Sequence, residues 1–233
     1  MEFLISRCEM VGKKPEDLHR ELRRLRNEDP EGEYVIQAFK NSRVDELNDW
    51  IAANSPKSVQ IETLTECPSC TRLPRNGHKK KSLTLVIGGR VVITDNHGLE
   101  DPSLANGVSG VLLAVGRNFL SIRRTDNGKE VRITRFKYTN SNRKAEGVWF
   151  QYPVAMAEAM SVHKGQGSTC DGSVIDSDGM TNEAMFYTAL SRNKSLAQTK
   201  VVDVRNLRYK GSGSARLQLE MIRERTERIR GGK

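Results

Sequence analysis

Residues Ala159–Asp171 read AMSVHKGQGSTCD. An apolar segment runs into a turn holding Gly165 and Gly167 among His163, Lys164, Gln166, Ser168 and Thr169. Glycine lets backbone N–H groups approach a phosphate or ribose closely. Lysine and histidine add donors to anions, and hydroxyls bond phosphate oxygens. Further on, Phe186–Leu196 (FYTALSRNKSL) sets Ser191 and Arg192 at the end of an apolar helix. An arginine fixed there can reach a nucleotide held by a neighbouring domain, where its planar fork stabilises charge on a transferring γ-phosphoryl group. Taken singly, each segment also fits a plain surface turn and an arginine that completes a helix dipole.

Working outward, the flanks alternate helix and strand patterns. Val154–Val162 is expected as a helix, with Met156, Ala159, Met160 and His163 near one side. Ser173–Ile175 and Lys200–Val204 read as short strands, with a helix over Asn182–Ser191 between them. Upstream, Lys14–Asn27 carries Leu18, Leu22 and Leu25 on one helical face, with Pro15 in the first turn and Glu16 and Asp17 after it. Tyr34–Phe39 is a strand-type run that meets polar Lys40–Ser42, and Val44–Ala53 is again helical, making one β-α unit. Val59–Leu64 is a further candidate strand. From Leu83 to Phe136 the pattern changes to short β-rich runs separated by Gly88–Gly89, Asn106–Gly107, Gly116–Asn118 and Asp126–Gly128, the signature of a small antiparallel barrel. The expected class is α/β with an inserted barrel. Residues 31–82 and 141–207 would form the α/β domain and 83–140 the barrel. Residues 1–30 would be a helical lead-in and 208–233 a basic helical tail.

Charge points to the partner. The 233 residues hold 38 Lys/Arg against 29 Asp/Glu, a formal net charge of +9, which favours a polyanion. Arg205–Lys233 alone holds nine Lys/Arg and three Glu. That tail suits nucleic acid, a partner protein or simple solvation. No apolar run approaches the ~18 residues of a spanning helix, so no membrane partner is expected. Met1–Gly12 does not read as a secretory signal. The four cysteines form no disulfide framework, which favours a reducing compartment, cytoplasm or nucleus, with a viral or phage source left open. Cys67 and Cys70, with His78 and His97, offer one metal-type pair where a zinc site shows two, so no protein-bound metal is expected. Cys170 and His163 share one glycine-rich turn, which argues against an opposed Cys–His nucleophile pair.

Together the segments resemble superfamily 1 DNA helicases of the PIF-type and RecD-like branch. SVHKGQGSTCD (161–171) is similar to motif V, MFYTALSRNKSL (185–196) to motif VI, and YVIQAFKNSRVDELN (34–48) to motif IV, with Asn41 at its polar turn and Asn48 on the next helix. GGRVVITDNHGLEDPSLANGVSGVLLAV (88–115) resembles that branch's barrel insertion, with Asn96 ahead of a Leu-x-Asn-Gly turn at Leu104–Gly107. The resemblance covers roughly residues 14–204. It implies a RecA-like, P-loop-NTPase-type second motor domain with an inserted SH3-like barrel. Arg192 would be the arginine finger. Gly165, Gln166 and Gly167 would lie by the nucleotide. Asn41, Ser161, His163 and Lys164 would face single-stranded DNA. Tyr187 and Ser191 would position the finger, and the barrel would grip or split the duplex. The family moves 5′ to 3′ and serves DNA replication, repair and recombination. Two residues depart from its pattern: Gly165 stands where serine is usual, and Thr188 where valine is usual.

A larger departure is an absence. No G-x-x-x-x-G-K-[ST] occurs in the sequence: Gly12–Lys13 has Arg7 where the first glycine belongs, and Gly167–Gly172 is followed by Ser173. Without that loop the β- and γ-phosphates have no cradle. ATP with Mg²⁺ would therefore sit in a cleft shared with an N-terminal RecA-like domain, on another chain or a missing segment. ATP hydrolysis would belong to the complete helicase. Residues 1–30 resemble the stretch that follows the family's first motor domain. Two other readings stand beside this one. A non-enzymatic single-strand-binding module or relic would bind with strong salt dependence and no response to nucleotide. A viral RNA helicase fragment would share motifs V and VI, but the Leu-x-Asn-Gly turn and the barrel favour the DNA branch.

Overall fold

The computed structural model describes residues 9–65, 82–96, 104–140, 147–163, 169–180 and 183–202. The chain runs β1 (Glu9–Val11), α1 (Pro15–Glu28), β2 (Tyr34–Ala38), α2 (Asn41–Ala53), β3 (Ser58–Glu62), β4 (Leu64–Thr65), β5 (Ser82–Val86), β6 (Arg90–Ile93), β7 (Ser109–Val115), β8 (Phe119–Arg124), β9 (Glu130–Thr134), β10 (Phe136–Asn140), β11 (Gly147–Gln151), β12 (Val154–Met156), β13 (Ala159–Ser161), β14 (Gly172–Ile175), α3 (Glu183–Leu190) and β15 (Thr199–Val202).

Five strands make a parallel sheet in the order β1-β15-β14-β2-β13. Its central strands are buried on both faces along their whole length, as in sheets covered by helices on either side. Successive side chains point to opposite faces. Val174 and Val202 join Leu18, Leu22, Leu25, Leu47 and Ile51, the apolar stripes of α1 and α2, in one core. Ile175 and Val201 join Phe186, Ala189 and Leu190 of α3 in another. The result is a three-layer α/β/α unit. Residues 9–28 are built into it, as an edge strand and a helix packed on the sheet.

The second unit is antiparallel. Strands β12-β6-β7-β8-β9 form one sheet, β3 pairs with β5, and β10-β11-β4 form a third. The first sheet and the β3–β5 ribbon enclose one core, with Leu85, Leu112, Leu120, Ile133 and Tyr152 at its centre. Strand pairing extends past 83–140 on both sides, drawing in 58–65 and 147–156. The Asn96 side chain accepts the Asn106 N–H, and Gly107 takes φ +96°, so the Leu104–Gly107 turn is pinned from ahead of it.

One expected element is corrected. Val154–Val162 is not a helix. It is two strands, β12 antiparallel to β6 and β13 parallel to β2. Buried apolar runs of this length carry no period that separates helix from strand. The break falls at Ala157–Glu158, where the chain leaves one sheet for the other. Ala157 N–H donates to the Arg90 carbonyl, and the Glu158 carbonyl accepts Ile36 N–H. The buried Glu158 carboxylate accepts Arg90 N–H at 2.8 Å and pairs with Arg26 at 2.7 Å. Arg90 in turn reaches Glu33 at 3.2 Å, so a charged cluster ties the two units together.

Candidate functional site

In parallel α/β sheets, ligands gather beyond the carboxyl ends of the strands. Here that end carries the polar turn after β2 and the start of the turn after β13. Asn41 is exposed as the first residue of α2. The exposed His163 ring lies 5.4 Å from Phe39, tilted by 50°. Ser161 is 3% exposed, so its side chain lies within the sheet beneath this surface.

Two buried devices hold this end, and sequence reading found neither. Arg43, two residues into α2 from Asn41, donates to Asp176 at 2.7 Å, to Glu46 at 2.9 Å and to the Lys13 carbonyl at 2.6 Å. Asp176 is wholly buried at the end of β14, so this ion pair fixes α2 against the sheet. Asn48 donates to the Ala159 carbonyl at 2.9 Å and accepts Ala159 N–H at 2.9 Å. Its amide thus acts as an extra strand partner where β13 begins. Asn48 was legible as part of the motif IV pattern; its partner was not.

Arg192 stands at the opposite end. Its carbonyl accepts Cys170 N–H at 2.9 Å, just ahead of β14, and Asn193 bridges Cys170 in parallel. The Ser191 hydroxyl donates to the Thr188 carbonyl at 2.9 Å and accepts from the Arg192 guanidinium at 3.0 Å. Asn193 donates to the Ala189 carbonyl at 3.0 Å and the Leu190 carbonyl at 3.2 Å, closing the end of α3. Among the described residues, no carboxylate pairs with Arg192. Tyr187 is 57% exposed on α3, and its backbone carbonyl accepts Ser191 N–H at 2.8 Å. This end is tied down through Asp171. The Lys194 ammonium at 2.8 Å and the Glu33 amide hold its carboxyl below the usual carboxylate range.

The anticipated residues therefore divide between two surfaces. Asn41 and His163 lie at the carboxyl end; Ser191 and Arg192 lie at the amino end. The five residues of β2 alone separate the levels by roughly 16 Å. Lys164, Gly165, Gln166 and Gly167 lie outside the described residues, yet His163 and Thr169 on either side of them sit at the two ends. Cys170 and His163 are likewise parted, and burial pushes the Cys170 thiol up to about 11. Cys67, Cys70, His78 and His97 lie outside the described residues, as does the basic tail expected over 208–233. Among the described residues, no group of three metal-ligating side chains occurs, and no helix is long and apolar enough to cross a membrane.

Comparison with known proteins gives the lineage. The ATP-dependent DNA helicase Pif1 of Bdellovibrio bacteriovorus is 30% identical over 121 residues, covering 49% of this chain and 26% of that protein. The Pif1 enzyme of Campylobacter jejuni is 22% identical over 142 residues, covering 55% of this chain and 31% of that protein. Both of these relatives are Pif1 helicases. The chain thus spans about a quarter to a third of the curated Pif1 relatives it matches. Pif1 from Candida albicans superposes with a TM-score of 0.63 at 19% identity, covering 88% of this chain and 53% of that one. Bacteroides Pif1 bound to single-stranded DNA gives 0.59 at 21% identity, covering 83% and 46%. These structural likenesses support a RecA-like α/β fold for the chain. No family model matches.

Proposed function

We propose that this chain is the C-terminal motor half of a Pif1-like, ATP-dependent DNA helicase. Its second RecA-like domain would lie within residues 31–82 and 141–207, less strands β3, β4, β11 and β12, which join 83–140 in an SH3-like barrel insertion. In this reading the carboxyl end of the parallel sheet, with Asn41 and His163, receives single-stranded DNA, and Lys164 adds a cation for the strand. Buried Ser161 supports that surface from beneath. The amino end, with Arg192 as arginine finger, closes on ATP and Mg²⁺ held by an N-terminal RecA-like domain. Gly165, Gln166 and Gly167 couple the nucleotide to the strand. Tyr187 and Ser191 set the finger, and movement is 5′ to 3′.

The observation that carries this reading is Arg192 itself. Its guanidinium is steadied by Ser191 and meets no carboxylate among the described residues, as expected of a cation kept for a ligand from outside the chain. The test is complementation. An N-terminal motor domain of a Pif1 helicase, supplied in trans, is expected to give DNA-stimulated ATPase with this chain. Arg192→Ala is expected to lower that rate by about 10³-fold or more. Full activity in Arg192→Ala would overturn the finger assignment.

A further inference from the structure

Strand β2 carries a buried amide that lies between the two ends of the sheet. Ile36 and Ala38 enter the core shared with α1 and α2, so Gln37 points to the opposite face, the one that α3 covers. Gln37 is 2% exposed. Its Nε2 donates to the Ser173 hydroxyl at 2.8 Å and to the Ala189 carbonyl at 3.2 Å. Ala189 lies in the last turn of α3, and its carbonyl also accepts Arg192 N–H at 3.3 Å and the Asn193 amide at 3.0 Å. Only a donor can face that carbonyl, which fixes the orientation of the Gln37 amide. Gln37 Oε1 is then left without a partner among the described residues.

Packing does not explain a glutamine here. A buried acceptor without a partner weakens the fold. An apolar side chain of like size would fill the same space beside Ile175, the neighbour of Gln37 on β14. The Ala189 carbonyl would still have Arg192 N–H and Asn193 as donors. What the amide adds is a tie from β2 to the last turn of α3, just ahead of Arg192. Ser173 pairs with Val35, so the Gln37 side chain reaches back toward the amino end, past about 7 Å of strand. In the other direction the strand runs into Phe39, which packs on the same core as α3 and meets the His163 ring.

We propose that Gln37 is a positioning residue for Arg192. Its amide holds the end of α3, and with it the guanidinium, in register with the strand that leads to the carboxyl-end surface. The inference rests on the finger reading proposed above and names the buried group that sets the finger from beneath. A group acting on a transition state loses most of its effect when displaced by about 1 Å. The tie therefore bears on turnover and not on ATP affinity.

Gln37→Met tests it, because methionine is unbranched, apolar and of similar size. In the full chain the Arg192 Nε–Hε NMR signal is expected to shift and to exchange faster with water, as its bond to Ser191 loosens. The melting temperature should equal the parent's or exceed it. Asn48→Ala, which acts from the other face of the sheet, should leave that signal in place. With an N-terminal Pif1 motor domain in trans, Gln37→Met should lower DNA-stimulated kcat about tenfold at unchanged KM for ATP. An unmoved Arg192 signal in Gln37→Met overturns the proposal, with or without complementation. So does a full kcat in Gln37→Met where Arg192→Ala is inactive, whatever the melting temperature. Full activity in Arg192→Ala sinks the finger reading itself. Should Gln37→Met fail to fold, Gln37→Asn, whose amide is one methylene too short to reach Ala189, carries the same readouts.

Discussion

Asn48→Ala probes how the carboxyl-end surface is held. The change removes both hydrogen bonds to Ala159, each 2.9 Å long, at a strand that is only three residues long. Asn48 is 8% exposed and Ala159 2%, so water cannot easily replace the lost partners. A buried donor or acceptor left without a partner costs about 1–3 kcal/mol. Two such groups, with some relaxation of the short strand, give an expected loss of about 2–4 kcal/mol. For a chain of this size that is a melting temperature lower by about 5–15 °C. Asn48→Asp should be at least as damaging, because a carboxylate would face the Ala159 carbonyl without a proton to donate. Urea denaturation followed by circular dichroism measures both variants. Losses below about 0.5 kcal/mol in Asn48→Ala would refute the claim that this amide anchors β13. Single-strand affinity should weaken in step, because β13 leads directly into His163.

Other expectations follow from the same geometry. Asp176→Ala leaves Arg43 beside a vacated, fully buried site and should destabilise by about 3–5 kcal/mol, read from urea midpoints. Ser191→Ala should leave stability within about 1 kcal/mol of the parent but lower complemented ATPase several-fold, by loosening Arg192. Asp171 has a depressed pKa when folded. Its contribution is present above the unfolded value near ~4 and is lost as pH falls through the lower folded value, so Asp171→Asn should flatten the acid limb of the stability–pH curve. With its thiol at about 11, Cys170 should resist iodoacetamide at pH 8 in the native state, where only about 0.1% is thiolate, and react once urea unfolds the chain.

Much of the α/β unit was legible because its signals are local. The Leu18–Leu22–Leu25 stripe and the apolar run Tyr34–Phe39 each declare one element, and the structure places α1 and β2 within a residue of the expected bounds. Val154–Val162 was illegible for a physical reason. Its two strands belong to different sheets, and the turn between them is held by Glu158, Arg90 and Arg26, which no local period encodes. The candidate site shows the same divide. Arg192 at a helix end could be read from its own neighbourhood. The Arg43–Asp176 pair joins residues 133 positions apart, and Asn48 reaches Ala159 across 111. Nor did proximity in sequence reveal that His163 and Cys170 lie at opposite ends of the sheet, because seven positions of chain are long enough either to span a strand or to double back.

The two-ended arrangement can be tested on this chain alone. Backbone amide and arginine side-chain NMR signals would be followed while oligothymidine is titrated into the isotopically labelled protein. The account predicts shifts at Asn41 and His163 and none at Ser191 or Arg192. Shifts centred on Ser191 and Arg192, with Asn41 and His163 unmoved, would contradict it.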